Sequence, residues 1–171
     1  MLLQIQMAAE YYDFGPHKIH QSSVFYTTDL SFAFVNLRPV VPGHIPLSEY
    51  LHVLICPKRE AKRVADLSAD EITEMWIIAQ KLGRQLESYH KASSLTFVIQ
   101  DGPQAGQSVP HVHIHILPRK SGDFENNDDI YDEINEKEEE LKQRLKVDIE
   151  RKERGIEEMA QEADEYRKFL F

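Results

Sequence analysis

Three histidines alternate with apolar residues late in the chain: from Pro110 to Arg119 the sequence reads PHVHIHILPR. In an extended strand alternate side chains point the same way. His111, His113 and His115 therefore share one face, and Val112, Ile114 and Ile116 share the other, which suits packing on a core. Three neighbouring imidazoles are not a core pattern. Buried polar groups need partners, so the rings must be hydrogen-bonded, metal-bound or reactive.

Two kinds of chemistry fit. Histidine is a common metal ligand, and two histidines at i and i+2 on a strand can share an ion. Three in a row seldom close a tetrahedron without help; the single cysteine, Cys56, sits on another strand and no carboxylate adjoins the triad. The other reading is nucleophilic. A neutral imidazole attacks phosphorus and leaves well afterwards, provided its second nitrogen donates to a fixed acceptor. Flanking rings then stabilise charge and pass a proton to the leaving group.

The elements that must position these rings are legible around them. Val24 to Val35, VFYTTDLSFAFV, reads as a hairpin about a Thr-Thr-Asp turn, and Arg38 to Gly43 as a loop enforced by two prolines and a glycine. Val53 to Cys56 is a short buried strand ended by Pro57. Ser68 and Glu71 form a capping box; Ile72, Met75, Trp76, Ala79, Leu82, Leu86 and Tyr89 then recur at helical spacing, with Met75 and Trp76 read as core or subunit contact. Leu95 to Ile99 is a strand, Asp101 to Gly106 a loop, and His111 to Leu117 the last strand, stopped by Pro118. Asp123 to Asp129 reads as polar and mobile; beyond it Ile134, Leu141, Leu145, Ile149, Ile156, Met159, Ala163, Tyr166 and Leu170 mark a helical stripe broken at Gly155. Strands, a helix and more strands imply an α+β fold with a mostly antiparallel sheet.

Beyond the triad, other segments complete a pattern. They are Phe14-Gly15 with His17, LSFAFVN ending at Asn36, RPVVPGH ending at His44, SLTFVIQDGPQAGQSV from Ser94 to Val109, Asp123-Phe124, Ile130-Tyr131, and Glu157 to Ala160. With HVHIHILPRK they resemble the histidine-triad superfamily, and within it the Fhit (fragile histidine triad) branch, over roughly residues 14–131 and again near the end. The third histidine favours the hydrolase branches over the uridylyltransferase branch.

The resemblance implies a five-stranded, mostly antiparallel sheet with a long helix and a C-terminal helix, shared across a homodimer. It implies cleavage of diadenosine triphosphate to AMP and ADP, and of other adenylyl conjugates such as adenylyl sulfate or phosphoramidates, through a nucleotidyl-histidine. His113 matches the nucleophile, His111 its orienting neighbour, and His115 a contact to the phosphate and bridging oxygen. Gln100, Gly106, Gln107, Ser108 and Val109 match the phosphate side, Asn36 a ribose contact and His17 a further binding position. Phe14, Phe34 and Leu54 would wall the base pocket. From the residues alone, Asn36 could instead cap the Pro-rich loop, Gln100 serve as a turn residue and His17 be inert. His20 and His90 have no motif context. The alternative function is a nucleotide-binding signalling module with weak turnover.

One segment departs from the family pattern. Eight residues, IPLSEYLH, stand between His44 and Val53, so the family's histidine before Val-Leu is either His44 or His52. His52 adjoins Val53 and is placed by that strand, so it is preferred, with Ile45 to Leu51 bulging outward.

Charge is divided unevenly. Residues 1–122 carry 11 acidic and 11 basic side chains, whereas residues 123–171 carry 18 and 9, so the net charge of −9 belongs to the tail. An acidic tail argues against a nucleic-acid partner. No stretch has the length of an apolar membrane span, and Met1 to Asp13 lacks a signal-peptide pattern. The organisation expected is an irregular extension (1–12), a catalytic domain (13–122), an acidic segment (123–154) and a terminal helix (155–171). The stretch 133–153 is read as dispensable to the site. No tightly bound metal is expected; Mg²⁺ or Mn²⁺ would accompany the nucleotide. The expected compartment is the cytoplasm, with the nucleus a second possibility.

Overall fold

The computed structural model describes residues 10–36, 52–132, 134–135 and 155–170. An N-terminal hairpin comes first, with β1 (Tyr11–Phe14) antiparallel to β2 (His17–His20). It turns at Gly15, whose φ of +55° is a left-handed conformation natural to glycine. A Cβ there would lie 2.8 Å from Val109 Cγ1, so the turn presses against the loop before the triad. The hairpin starts at Tyr11, two residues inside the stretch expected to be irregular.

The main sheet contains β3 (Val24–Thr27), β4 (Ser31–Val35), β5 (Val53–Pro57), β6 (Ser94–Val98) and β7 (Ile114–Arg119). Its order is β3-β4-β5-β7-β6, and every neighbouring pair is antiparallel. With α1 (Ala69–Tyr89) and α2 (Ile156–Leu170) it makes the expected α+β fold. The Thr-Thr-Asp turn closes with the Ser31 N–H donating to Thr28 Oγ1 at 3.0 Å. The capping box also forms: the Glu71 N–H donates to Ser68 Oγ at 3.2 Å and the Ser68 N–H to Glu71 Oε2 at 2.8 Å.

The sheet has two unlike faces. Ala33, Val35, Val53, Ile55, Ile114 and Ile116 pack under Met75, Ile78, Ala79, Leu82 and Leu86 of α1 and Ala163, Tyr166 and Leu170 of α2. On the other face the N-terminal hairpin brings Phe14 and Ile19 onto Phe32, Phe34 and Leu54. Further along that face, Ile130 and Ile134 pack on Leu117 beside Val98 and Phe124.

Several boundaries differ from the sequence reading. The last strand begins at Ile114, so His111 and His113 precede it, and it runs through Pro118 to Arg119. Proline lacks an N–H and is tolerated where one side needs no ladder bond. Here β5 pairs with β7 only at residues 114–116, leaving Pro118 paired on its β6 side alone, opposite Leu95. In α1 the buried stripe runs through Ile78 rather than Trp76, which is 47% exposed and lies near Phe97 with ring centroids 6.4 Å apart. In α2, Ile156 is exposed, and Met159, Glu162, Ala163, Tyr166 and Leu170 form the buried side. Leu141, Leu145 and Ile149 lie outside the described residues.

Asp123 is not part of a mobile polar stretch. It is buried, and Arg119 grips it with Nε to Oδ2 at 2.7 Å and Nη2 to Oδ1 at 3.1 Å. Arg119 also donates to Thr96 Oγ1 at 3.2 Å, tying β7 to β6 and both to the chain that leaves the sheet. Removing one partner of a buried pair strands the other charge, at a cost of about 3 kcal/mol. We therefore expect Asp123→Ala to lower the unfolding free energy, measured by urea titration, by that amount. A loss below about 0.5 kcal/mol would mean that the pair behaves like an exposed one.

Candidate active site

Register assembles the site. Across the sheet Phe34 pairs with Leu54, Leu54 with His115 and His115 with Val98, so these four side chains form one row on the face opposite α1. His113 lies two residues before His115, in the short segment that leads into β7. That segment is anchored by the Val112 N–H donating to the Ala61 carbonyl at 2.7 Å. All three triad rings are buried.

Their hydrogen bonds fix which nitrogen carries each proton. His111 Nε2 is 2.8 Å from the Pro57 carbonyl and must donate to it, while His111 Nδ1 accepts from the Gly15 N–H at 3.2 Å. His113 Nδ1 is 2.7 Å from the His111 carbonyl, which can only accept. The neutral His113 ring therefore keeps its lone pair at Nε2. A second chain starts at Asn36, whose Nδ2 donates to His52 Nδ1 at 2.9 Å. His52 Nε2 then carries the hydrogen and donates to His115 Nδ1 at 2.6 Å. His115 is left with its proton on Nε2, so it presents a donor. Its ring centroid is 4.6 Å from that of His113.

Burial favours the neutral form of His52, His115 and His111. It lowers His52 to about 3, with the neighbouring His113 adding to the effect. It holds His115 well below the ordinary histidine value, helped by His113 and His52. It lowers His111 too, against an opposing contribution from the Pro57 carbonyl bond. Among the described residues no group of three or more His, Cys, Asp or Glu is placed to hold a metal ion.

The remaining site residues gather around this core. Phe14, Phe34 and Leu54 belong to one apolar cluster, and the Phe14 ring meets His113 edge-on at 5.0 Å. His17 sits opposite Phe14 in the hairpin, with ring centroids 6.3 Å apart. Asn36, matched to a ribose contact, spends its amide nitrogen on His52. His44 and Ile45 to Leu51 lie outside the described residues. His52 is set by the ladder, because the Asn36 N–H donates to the His52 carbonyl at 2.9 Å, one step beyond the Val35–Val53 pair.

The loop before the triad turns at Pro103–Ala105 and leaves through Gly106 at φ +90°. Gln107 braces it: Oε1 accepts from the Gly102 N–H and Nε2 donates to the Lys62 carbonyl, each at 3.0 Å. Its side chain thus ties the loop to Gly102 and to Lys62. Gln100 is buried, and its Nε2 donates to Asn135 Oδ1 at 2.7 Å.

Sequence reasoning missed Gly15, Pro57 and Asn135 as partners of the site. Gly15-Pro16 carried a turn signal. The Pro57 carbonyl and Asn135 carried none, since both act through contacts made only in the folded chain. Contrary to the expectation that the stretch 133–153 offers the site little, Ile134 packs on Leu117 and Asn135 meets Gln100.

A HIT-domain profile matches residues 18–122. The chain thus belongs to the histidine-triad family, the class that the sheet and its three rings already described. More particularly, it is 60% identical over 156 residues to the bifunctional bis(5'-adenosyl)-triphosphatase/adenylylsulfatase FHIT of Arabidopsis thaliana, covering 91% of this chain and 82% of that protein. It is 49% identical to the bis(5'-adenosyl)-triphosphatase of Dictyostelium discoideum, covering 90% of this chain and 89% of that one. Among solved structures, the Plasmodium falciparum diadenosine triphosphate hydrolase in complex with cyclomarin A matches with a TM-score of 0.70 at 28% identity, over 96% of this chain and 87% of that one.

The lowered histidines predict the pH response of stability. Their folded values lie below the unfolded value of about 6.5, so the unfolded chain binds more protons between the two. Stability is full above that value and is lost as pH falls through the window, which for His52 extends to about 3. Each such ring contributes a slope approaching about 1.4 kcal/mol per pH unit. Urea denaturation at stepped pH should show the midpoint falling from pH 7 to 4, and less steeply in His52→Gln. A flat profile would mean that the rings are charged in the fold.

Proposed function

We propose that this chain hydrolyses dinucleoside polyphosphates, diadenosine triphosphate to AMP and ADP, and related adenylyl conjugates such as adenylyl sulfate. The observation that carries this reading is the 2.7 Å bond from His113 Nδ1 to the His111 carbonyl. It directs the lone pair to Nε2 beside a donor, His115. In the first step Nε2 attacks the α-phosphorus; a P–N bond forms and the P–O bond to the leaving group breaks. The leaving oxygen takes the electron pair and a hydrogen bond from His115 Nε2–H, and the leaving nucleotide departs as an anion. The nucleotidyl imidazolium, with hydrogen on Nδ1, is stabilised by the His111 carbonyl. In the second step water oxygen attacks phosphorus, Nε2 leaves with the P–N electrons, and the water proton passes through the phosphate oxygens to solvent. AMP is released and both rings keep their starting protons.

The base would rest against Phe14, Phe34 and Leu54, with Asn36 and His17 toward the ribose side. The phosphates would meet Gln100 and the 106–109 loop, where the positive φ of Gly106 opens the backbone to an anion. Mg²⁺ or Mn²⁺ would come bound to the polyphosphate as part of the substrate. The exposed pair Trp76 and Phe97 suits an interface between two copies of the chain, and a homodimer sharing its sheet is the assembly we favour. No described helix is long and apolar enough to cross a membrane; the cytoplasm is the compartment we propose.

His113→Ala should fold and lose activity by about a thousandfold or more, since it removes a covalent nucleophile. Turnover of diadenosine triphosphate, with trapping of labelled nucleotidyl-enzyme, measures this. Activity within tenfold of wild type would exclude His113 as nucleophile. A trapped adduct with turnover too slow to matter would favour the signalling alternative.

A further inference from the structure

The first residues of the acidic segment touch the site, and nothing in their composition announces it. Residues 129–132 and 134–135 are helical. Ile130 and Ile134 are buried against Leu117, which shares a sheet face with His113 and His115. That packing brings Asn135 to Gln100, where Oδ1 accepts from Nε2 at 2.7 Å. Fit is close on the loop side as well. A Cβ on Gly106 would lie 2.5 Å from Gln100 Nε2 and 2.8 Å from Asn135 Oδ1, so Gly106, Gln100 and Asn135 occupy one tight corner.

Gln100 is only 7% exposed, and its Oε1 is buried with no hydrogen-bond partner among the described residues. A buried amide with one end tied and the other open has a defined polarity. Asn135 turns Oδ1 toward Gln100, so it holds the nitrogen end of that amide and leaves the carbonyl end for a ligand. Gln100 follows β6 two residues after Val98, the register partner of His115. The same alternation continued places Gln100 on the triad face, level with His113.

We propose that Asn135 is a positioning residue for the reaction: it sets the orientation of the Gln100 amide so that Oε1 accepts a hydrogen bond, from the attacking water of the second step. This rests on the hydrolase reading above. An acceptor orients the attacking water through one O–H, while the other proton leaves by way of the phosphate oxygens. Without Asn135 the amide is free to turn over and offer N–H, which cannot hold the water in that sense.

Asn135→Leu removes the acceptor at similar size, and Asn135→Asp keeps an oxygen at Oδ1. For diadenosine triphosphate, Asn135→Leu should lower kcat about five- to tenfold, the worth of one oriented hydrogen bond, with KM changed less than twofold. Asn135→Asp should restore most of kcat at 0.5 M salt, where its added charge is screened. Single-turnover decay of labelled nucleotidyl-enzyme should slow by the same factor as kcat, and its formation should not. On a Gln100→Ala background, Asn135→Leu should have no further effect. A full additional loss on that background would make Asn135 merely structural and overturn the proposal, as would an unchanged kcat in Asn135→Leu. Slowed formation with normal decay would also overturn it. If the His113→Ala variant stayed active, the hydrolase reading itself would fail, which is a separate result.

Discussion

Proton count is the constraint on which this site depends. Burying His52, His111 and His115 together is tolerable only if none is charged, because an isolated buried cation is far more costly than a neutral ring with partners. Neutral rings have one donor and one acceptor each, so they can be chained only in one sense. Asn36 starts one chain and the Pro57 carbonyl ends another. Between them every proton location on His52, His111 and His115 is decided by backbone or amide groups that do not titrate. The nucleophile we propose is then not selected by an unusual property of its own ring. It is the histidine whose Nδ1 faces a carbonyl and whose ring lies beside that of His115.

Those partners are placed by strand register rather than by proximity in sequence. Asn36 and His52 come together because the β4–β5 ladder continues one step past Val35 and Val53. His52 then reaches His115 because Leu54 and His115 are opposite each other on β5 and β7. A one-residue slip would turn Leu54 to the helix face and break the row. The fifteen residues between Asn36 and His52 can therefore vary in number without moving the site, since loop closure grows only slowly with length. What the ladder will not accept is a change of phase on re-entry at Val53, because it would undo both the Asn36–His52 contact and the Leu54–His115 pair.

How far this was readable from sequence follows from the range of each interaction. The triad, the alternation of Val112, Ile114 and Ile116, and the Ser68–Glu71 cap are patterns over a few residues, and they specify their own geometry. The α1 stripe was legible only in part, because Ile78 and Trp76 are both apolar and the helix phase that buries one exposes the other. Pro118 misled for a related reason: its cost depends on whether a second strand runs alongside, and β5 stops short of it. Asp123 looked like one more acid in a polar run until its partner four residues earlier, Arg119, was seen to turn inward with it. The structural use of Gln107 was hidden in the same way, since Gly102 and Lys62 approach it only when the loop is folded.

The acidic segment shows why composition is a poor guide to which residues matter. Its charge is what distinguishes it, yet an exposed carboxylate is screened over about 8 Å at physiological ionic strength. Glu125, Asp128 and Asp132 are of that exposed kind. Among the described residues beyond Phe124, it is Ile130, Ile134 and Asn135 that bind this segment to the fold. Ile130 and Ile134 are one helical turn apart, so a single short helix delivers both to Leu117, and the residue after Ile134 is carried to Gln100 by the same turn. The segment thus acts on the site by contact. Of its described carboxylates, Glu125, Asp128 and Asp132 stay in solvent, away from the pocket we propose for the polyphosphate.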